Sequence, residues 1–119
     1  MINEDENKLM YLFIYLPLVR KVLEKDMEKF KKAELKFELT YLTYLEKVTN
    51  KVGIDIGKVK REMYKKGLTV YEQGRDEKGY CKYLVVCRGY RQDVVLLPQA
   101  MKNKVAEHLA GYLEGTPAL

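Results

Sequence analysis

The run LMYLFIYLPLV, Leu9 to Val19, places eleven apolar residues side by side without a single charge. A helix that crosses a bilayer needs about 20 such residues, and this run meets Arg20 and Lys21 too soon. Burial within a fold, or against another chain, is what remains. Pro17 narrows the choice further, because a proline inside a helix has no N–H to offer the carbonyl four residues back, here Phe13. Either a helix from residue 6 to about 32 kinks at Pro17, or a helix begins there and Met10 to Leu16 forms a short strand. The recurrence of Leu16, Val19, Leu23, Met27 and Phe30 at three- and four-residue spacing favours the kinked helix.

Later segments are predicted from the same periodicities. A second helix is expected from about Ala33 to Asn50, with Leu35, Leu39, Leu42 and Leu45 on one stripe and Phe37, Tyr41, Tyr44 and Val48 beside it. A short third helix follows, capped by Asp55, facing Ile56, Val59 and Met63 inward and stopped by Gly67. LTVYEQ (68–73), GYCKYLVVCR (79–88) and YRQDVVLL (90–97) are rich in β-branched and aromatic residues, and they read as a three-stranded antiparallel meander. Pro98 opens a last helix with Met101, Val105, His108, Leu109 and Tyr112 inward, and the tail GTPAL is expected to fray. The expectation is a single α+β domain over residues 1–119: about three helices in 6–66, the meander in 68–97 and a closing helix in 98–113.

A length of 119 residues suits one self-supporting core, and 47% hydrophobic with 33% charged residues excludes a disordered chain. The acidic start, Glu4, Asp5 and Glu6, lacks the features of a secretory leader, so a cytoplasmic location is expected. Cys81 and Cys87 fall six residues apart in one strand, about 20 Å, whereas a disulfide needs α-carbons within about 7 Å. They are expected to be free, inert thiols, and their spacing matches no usual zinc site. Ten tyrosines and no tryptophan point to contact surfaces. The first two helices carry more apolar surface than one small meander can cover, which predicts a homodimer with Tyr11, Tyr15, Tyr41 and Tyr44 as interface candidates.

Charge is uneven. Residues 51–67 hold Lys51, Lys58, Lys60, Arg61, Lys65 and Lys66 against Asp55 and Glu62 only. Lys58, Arg61 and Lys65 fall on one helix face, and a hairpin tip with Arg75 and Lys78 follows, the order of a recognition helix and wing. DNA or RNA backbone phosphates are the natural partner. A plainer reading is a solvated face on which Glu62 pairs with Lys58 and Lys66. No Asn, Gln or Ser stands ready for base edges, so phosphate contact is expected rather than sequence readout. Catalysis has no visible constellation: His108 is the only histidine and faces inward, and Glu72, Asp76 and Glu77 lack calcium-loop spacing. No cofactor motif appears, and no metal or membrane partner is expected. The leading expectation is a non-enzymatic accessory or regulatory nucleic-acid-binding protein. The alternative is a protein-interaction adapter using the tyrosine-rich helical surface.

The succession YLPLV, VLEKD, VKREM, LTVYEQGRD, YLVVCRGY and HLAGYL resembles the YhjD-like family of short bacterial proteins over most of the chain. The resemblance implies a bacterial intracellular protein of unassigned role, and it carries no catalytic or binding residue over to this sequence.

Overall fold

The computed structural model describes residues 2–117. Helix α1 spans Glu4–Lys32 and α2 spans Glu38–Lys65; strands β1 (Leu68–Arg75), β2 (Cys81–Cys87) and β3 (Tyr90–Leu96) follow, then α3 (Pro98–Glu114). The α+β class and the antiparallel order β1-β2-β3 agree with the sequence reading. Two helices precede the sheet where about three were expected.

The first helix starts at a capping box. Asn3 Oδ1 accepts from the Glu6 amide at 2.8 Å, and Glu6 Oε1 accepts from the Asn3 amide at 3.0 Å. α1 then runs through Pro17 with no break, so Met10 to Leu16 is helix and not strand. Its burial explains why the proline is tolerated: Leu16 and Val19 on either side are fully buried, and tertiary packing outweighs one lost hydrogen bond.

The expected second and third helices are one. Val48, Val52, Ile56, Val59 and Met63 form a continuous buried stripe across the point where a break was expected. Asp55 is therefore no N-cap. It sits wholly buried in mid-helix, where Lys51 Nζ donates to Oδ1 at 2.8 Å and the Tyr112 hydroxyl donates to Oδ2 at 2.6 Å. The start also shifts, from about Ala33 to Glu38, because the chain turns over residues 33–37 with Glu34 at a φ of 52°. The two helices run antiparallel. Phe30 meets Tyr41 at one end, ring centroids 6.0 Å apart, while one arginine binds Glu6 and Lys66 at the other.

That arginine is Arg88, first residue of the two-residue turn between β2 and β3. Cys87 pairs with Tyr90, and Arg88 and Gly89 both take positive φ, 47° and 85°, as a hairpin turn matched to the strand twist requires. From this turn Arg88 Nη1 reaches Glu6 Oε2 at 2.6 Å and the Lys66 carbonyl at 2.8 Å. The Cys87 thiol donates to the same Glu6 oxygen at 3.2 Å. Leu68, Val70, Val85, Cys87, Val94 and Leu96 face the helices in or against the core. A bulge between Glu72 and Arg75, with Gly74 at φ 76°, ends the regular pairing of β1 with β2. α3 begins at Pro98 as expected, buries Met101 and Tyr112, and ends at Gly115 in the left-handed region. Thr116 N donates to the Gly111 carbonyl at 2.7 Å, so the tail expected to fray is tied back at its start; Ala118 and Leu119 lie outside the described residues. Cys81 and Cys87 are free thiols, and burial together with the Glu6 bond pushes the Cys87 thiol pKa up.

Two measurements test this framework. The Arg88 bond, then the Asn3 amide and the Cys87 thiol, hold Glu6 down from 4.5 to about 2. A depressed carboxylate stabilises the fold above its unfolded pKa, and that contribution is lost as pH falls from about 4.5 toward 2. Glu6→Gln is expected to flatten the loss of stability between those values in urea titrations; equal slopes in both proteins would refute the assignment. Tyr112→Phe removes one of the two partners of buried Asp55 and is expected to cost about 1–3 kcal/mol by chemical denaturation.

Candidate nucleic-acid interface

The second half of α2 presents its charges because its other side is committed to the core. Ile56, Val59 and Met63 are buried, and Lys58, Arg61 and Lys65 stand on the opposite, exposed face. Lys60 and Tyr64 are exposed as well, on the flank of the helix between that face and the buried stripe. Tyr64 follows Lys60 by four residues and Arg61 by three, and at 87% exposure its ring is almost wholly in solvent. Arg61 folds back along the helix, its Nη1 lying 3.5 Å from where a Cβ on Gly57 would sit. Beside Tyr64 runs an open groove of about 400 Å³ lined by Phe13, Met63, Leu68, Val70 and Lys60.

Ion pairing leaves this face basic. Lys51 is taken by Asp55 at 2.8 Å and Glu62 by Lys65 at 3.3 Å. The expected pairing of Glu62 with Lys58 and Lys66 does not form. Among the described residues, no acid lies within ion-pair distance of Lys58, Lys60, Arg61 or Lys66. Here the solvated-face reading loses its specific pairs, since one acid cannot neutralise four neighbouring cations.

The recognition-helix-and-wing order does not survive in the structure. A recognition helix is a separate element after a tight turn, whereas α2 is unbroken from Glu38. Arg75 and Lys78 are exposed, but strand β1 carries Arg75 more than roughly 20 Å from the end of α2. They do not lie beside Lys65. The bulge also pairs Arg75 with Cys81, whose face of the sheet turns toward the helices. Asp76 explains the tip itself: its Oδ1 accepts from the amides of Lys78 and Tyr80, both at 2.9 Å.

The four candidate interface tyrosines divide into two places. Tyr15 is buried within this chain, stacked on Tyr11 at 5.9 Å and beside His108 at 6.0 Å. Tyr41 and Tyr44 lie near the turn between α1 and α2, where Tyr41 packs on Phe30 and the Tyr44 hydroxyl donates to the Leu113 carbonyl. Along α1, Tyr11 and Phe30 are separated by roughly 28 Å. A single tyrosine surface on one flank is thereby excluded. His108 is half-buried in a cleft of about 680 Å³ between α1 and α3, and burial lowers its pKa. The chain contains no serine, and the cleft has no cysteine among its lining residues.

A family model described as YhjD protein matches residues 1–117. The chain belongs to the YhjD family. No curated protein and no solved structure matches it significantly. The family thus extends over both helices of the hairpin, the meander and α3, and the basic face of α2 lies inside it. Among the described residues, no helix is long and apolar enough to cross a membrane.

Sequence reading selected Lys58, Arg61 and Lys65 by their spacing but passed over Tyr64, although its position three and four residues after two cations was legible. Lys58→Ala, Arg61→Ala and Lys65→Ala combined are expected to leave folding nearly intact, each within about 0.5 kcal/mol. A thermal unfolding midpoint many degrees below the wild type would show that this face supports the fold instead.

Proposed function

We propose that this YhjD-family chain is a non-enzymatic nucleic-acid-binding protein that contacts the phosphate backbone through the second half of α2. The observation that carries the reading is the exposed ring of Tyr64 between Lys60 and Arg61, with Lys65 and Lys58 following Arg61 around the helix. Cations alone bind phosphates of any duplex. An aromatic ring in solvent among them adds a platform for an unstacked base, which duplexes do not offer. Single strands are therefore the preferred substrate class. The turns of α2 on either side of Tyr64, residues 57–66, carry no Asn, Gln, Ser or Thr, which fits backbone contact with little sequence preference.

Fluorescence anisotropy with labelled oligo(dT), oligo(rU) and a duplex of equal length tests this. Binding is expected to weaken steeply with salt, and the triple alanine variant is expected to lower the slope of log K against log salt by up to about 0.7 per lost contact on a single strand. Tyr64→Ala is expected to reduce single-strand affinity by about 1–3 kcal/mol with the salt slope kept. No binding by the wild type at low salt, or equal binding by all variants, would overturn the proposal.

A further inference from the structure

The inward stripe of α2 outruns the elements that cover it. From Val48 toward the C-terminal end the stripe is buried, whereas Tyr44, Tyr41 and Phe37 continue it at four- and three-residue spacing while 48%, 47% and 61% exposed. The reason is the length of the neighbours. α3 ends at Glu114; Tyr112 in its last turn reaches Asp55 in the covered part of α2, and toward the tip the contact is the bond from the Tyr44 hydroxyl to the Leu113 carbonyl. Beyond that point Tyr41 has Phe30 on one side, and Leu35 in the turn is 38% exposed. The molecule measures 54 × 34 × 17 Å with a radius of gyration of 16.2 Å, against about 13.5 Å for a compact chain of this length. Its thin, drawn-out shape is that of a fold with part of its core left open.

We propose that this helical tip pairs with the tip of a second copy of the same chain about a twofold axis. Area is the first argument. At their exposures Leu35, Phe37, Tyr41 and Tyr44 present on the order of 400 Å² of largely apolar surface. A stable interface buries about 800 Å² per partner, a little over half of it apolar. The tip supplies about that apolar share, and the polar surface around it supplies the remainder.

Charge selects the partner. Residues 24–47 contain six basic and six acidic side chains, so the tip is neutral, and the whole net charge of +5 lies elsewhere in the chain. Two copies of a basic protein repel each other at most surfaces. They meet without that penalty at the tip, where Lys29, Lys32 and Lys36 of one copy can face Glu28, Glu34 and Glu38 of the other. A neutral surface gives no such advantage to a strongly charged foreign partner. Twofold pairing also closes, because the same patch is used on both copies and is then not open to a third.

Sedimentation velocity and equilibrium, without nucleic acid, over about 1–100 µM protein tests the pairing. The wild type is expected to move from 14.0 kDa toward twice that mass as concentration rises. Phe37→Asp is the informative variant, because Phe37 stands at the N-cap of α2, is 61% exposed and has the Lys36 ammonium over its ring at 5.7 Å. It is expected to raise the dissociation constant at least about tenfold, the effect of losing a buried aromatic anchor, with the thermal midpoint of the monomer not lowered, since an aspartate suits the N-cap position of α2. Leu35→Asp, also in the turn, is expected to act in the same direction and serves if Phe37→Asp lowers that midpoint. A wild type that stays monomeric at the highest concentration, or a dimer that survives both substitutions, would overturn the proposal. Neither result decides whether a single chain contacts nucleic acid, which rests on a different part of α2.

Discussion

The guanidinium of Arg88 joins three elements that lie far apart in the sequence. It sits in a two-residue hairpin turn at positive φ, a conformation that costs a side-chain-bearing residue about 1 kcal/mol or more. The side chain then bonds a buried carboxylate in the first turn of α1 and the last exposed carbonyl region of α2. One residue thereby ties the start of the first helix, the end of the second and the apex of the sheet. Glu6 is buried while Arg88 is largely exposed, so only one of the two charges gives up most of its water. The carboxylate recovers that loss through the Asn3 amide, the Arg88 guanidinium and the Cys87 thiol.

This clamp also decides what the protein displays. With α2 fixed at its end and its stripe Val52, Ile56, Val59 and Met63 set against the core, Lys58, Arg61 and Lys65 can only point outward. Asp55 acts from within. By holding Lys51 and accepting from Tyr112, it pins α3 across the middle of α2 and removes one cation from the basic segment. The cations that remain without acidic partners lie downstream, around Tyr64.

The elements legible in the sequence were those whose periodicity is local. The strands, the Pro98 start of α3 and the Gly67 stop after α2 all follow from residue type and spacing within a few positions. What escaped was tertiary. Asp55 has the look of an N-cap because aspartate favours that position before an apolar stripe, yet a tyrosine 57 positions later satisfies its carboxylate in mid-helix. Glu6 stands in an acidic start with Glu4 and Asp5, and nothing near it in the sequence reveals a bond to Arg88. Tyr15 fell on an interface by composition, while its actual neighbours, Tyr11 and His108, include one from the far end of the chain. The basic face was visible because its definition needs only a helix and a spacing. The wing was not supportable, since it required knowing where an eight-residue strand ends in space.

α2 carries both surfaces, and its length keeps them apart. Tyr41 and Arg61 are separated by roughly 30 Å along the helix axis, so a second copy seated on the tip does not cover the basic face. Pairing would place two basic faces at the outer ends of a longer object. A flexible single strand can span such a gap, and the second contact then forms at an effective concentration far above that of free protein. A stiff short duplex reaches only one face. Self-association would thus strengthen binding to long single strands selectively, with no change in the contacts made by either α2.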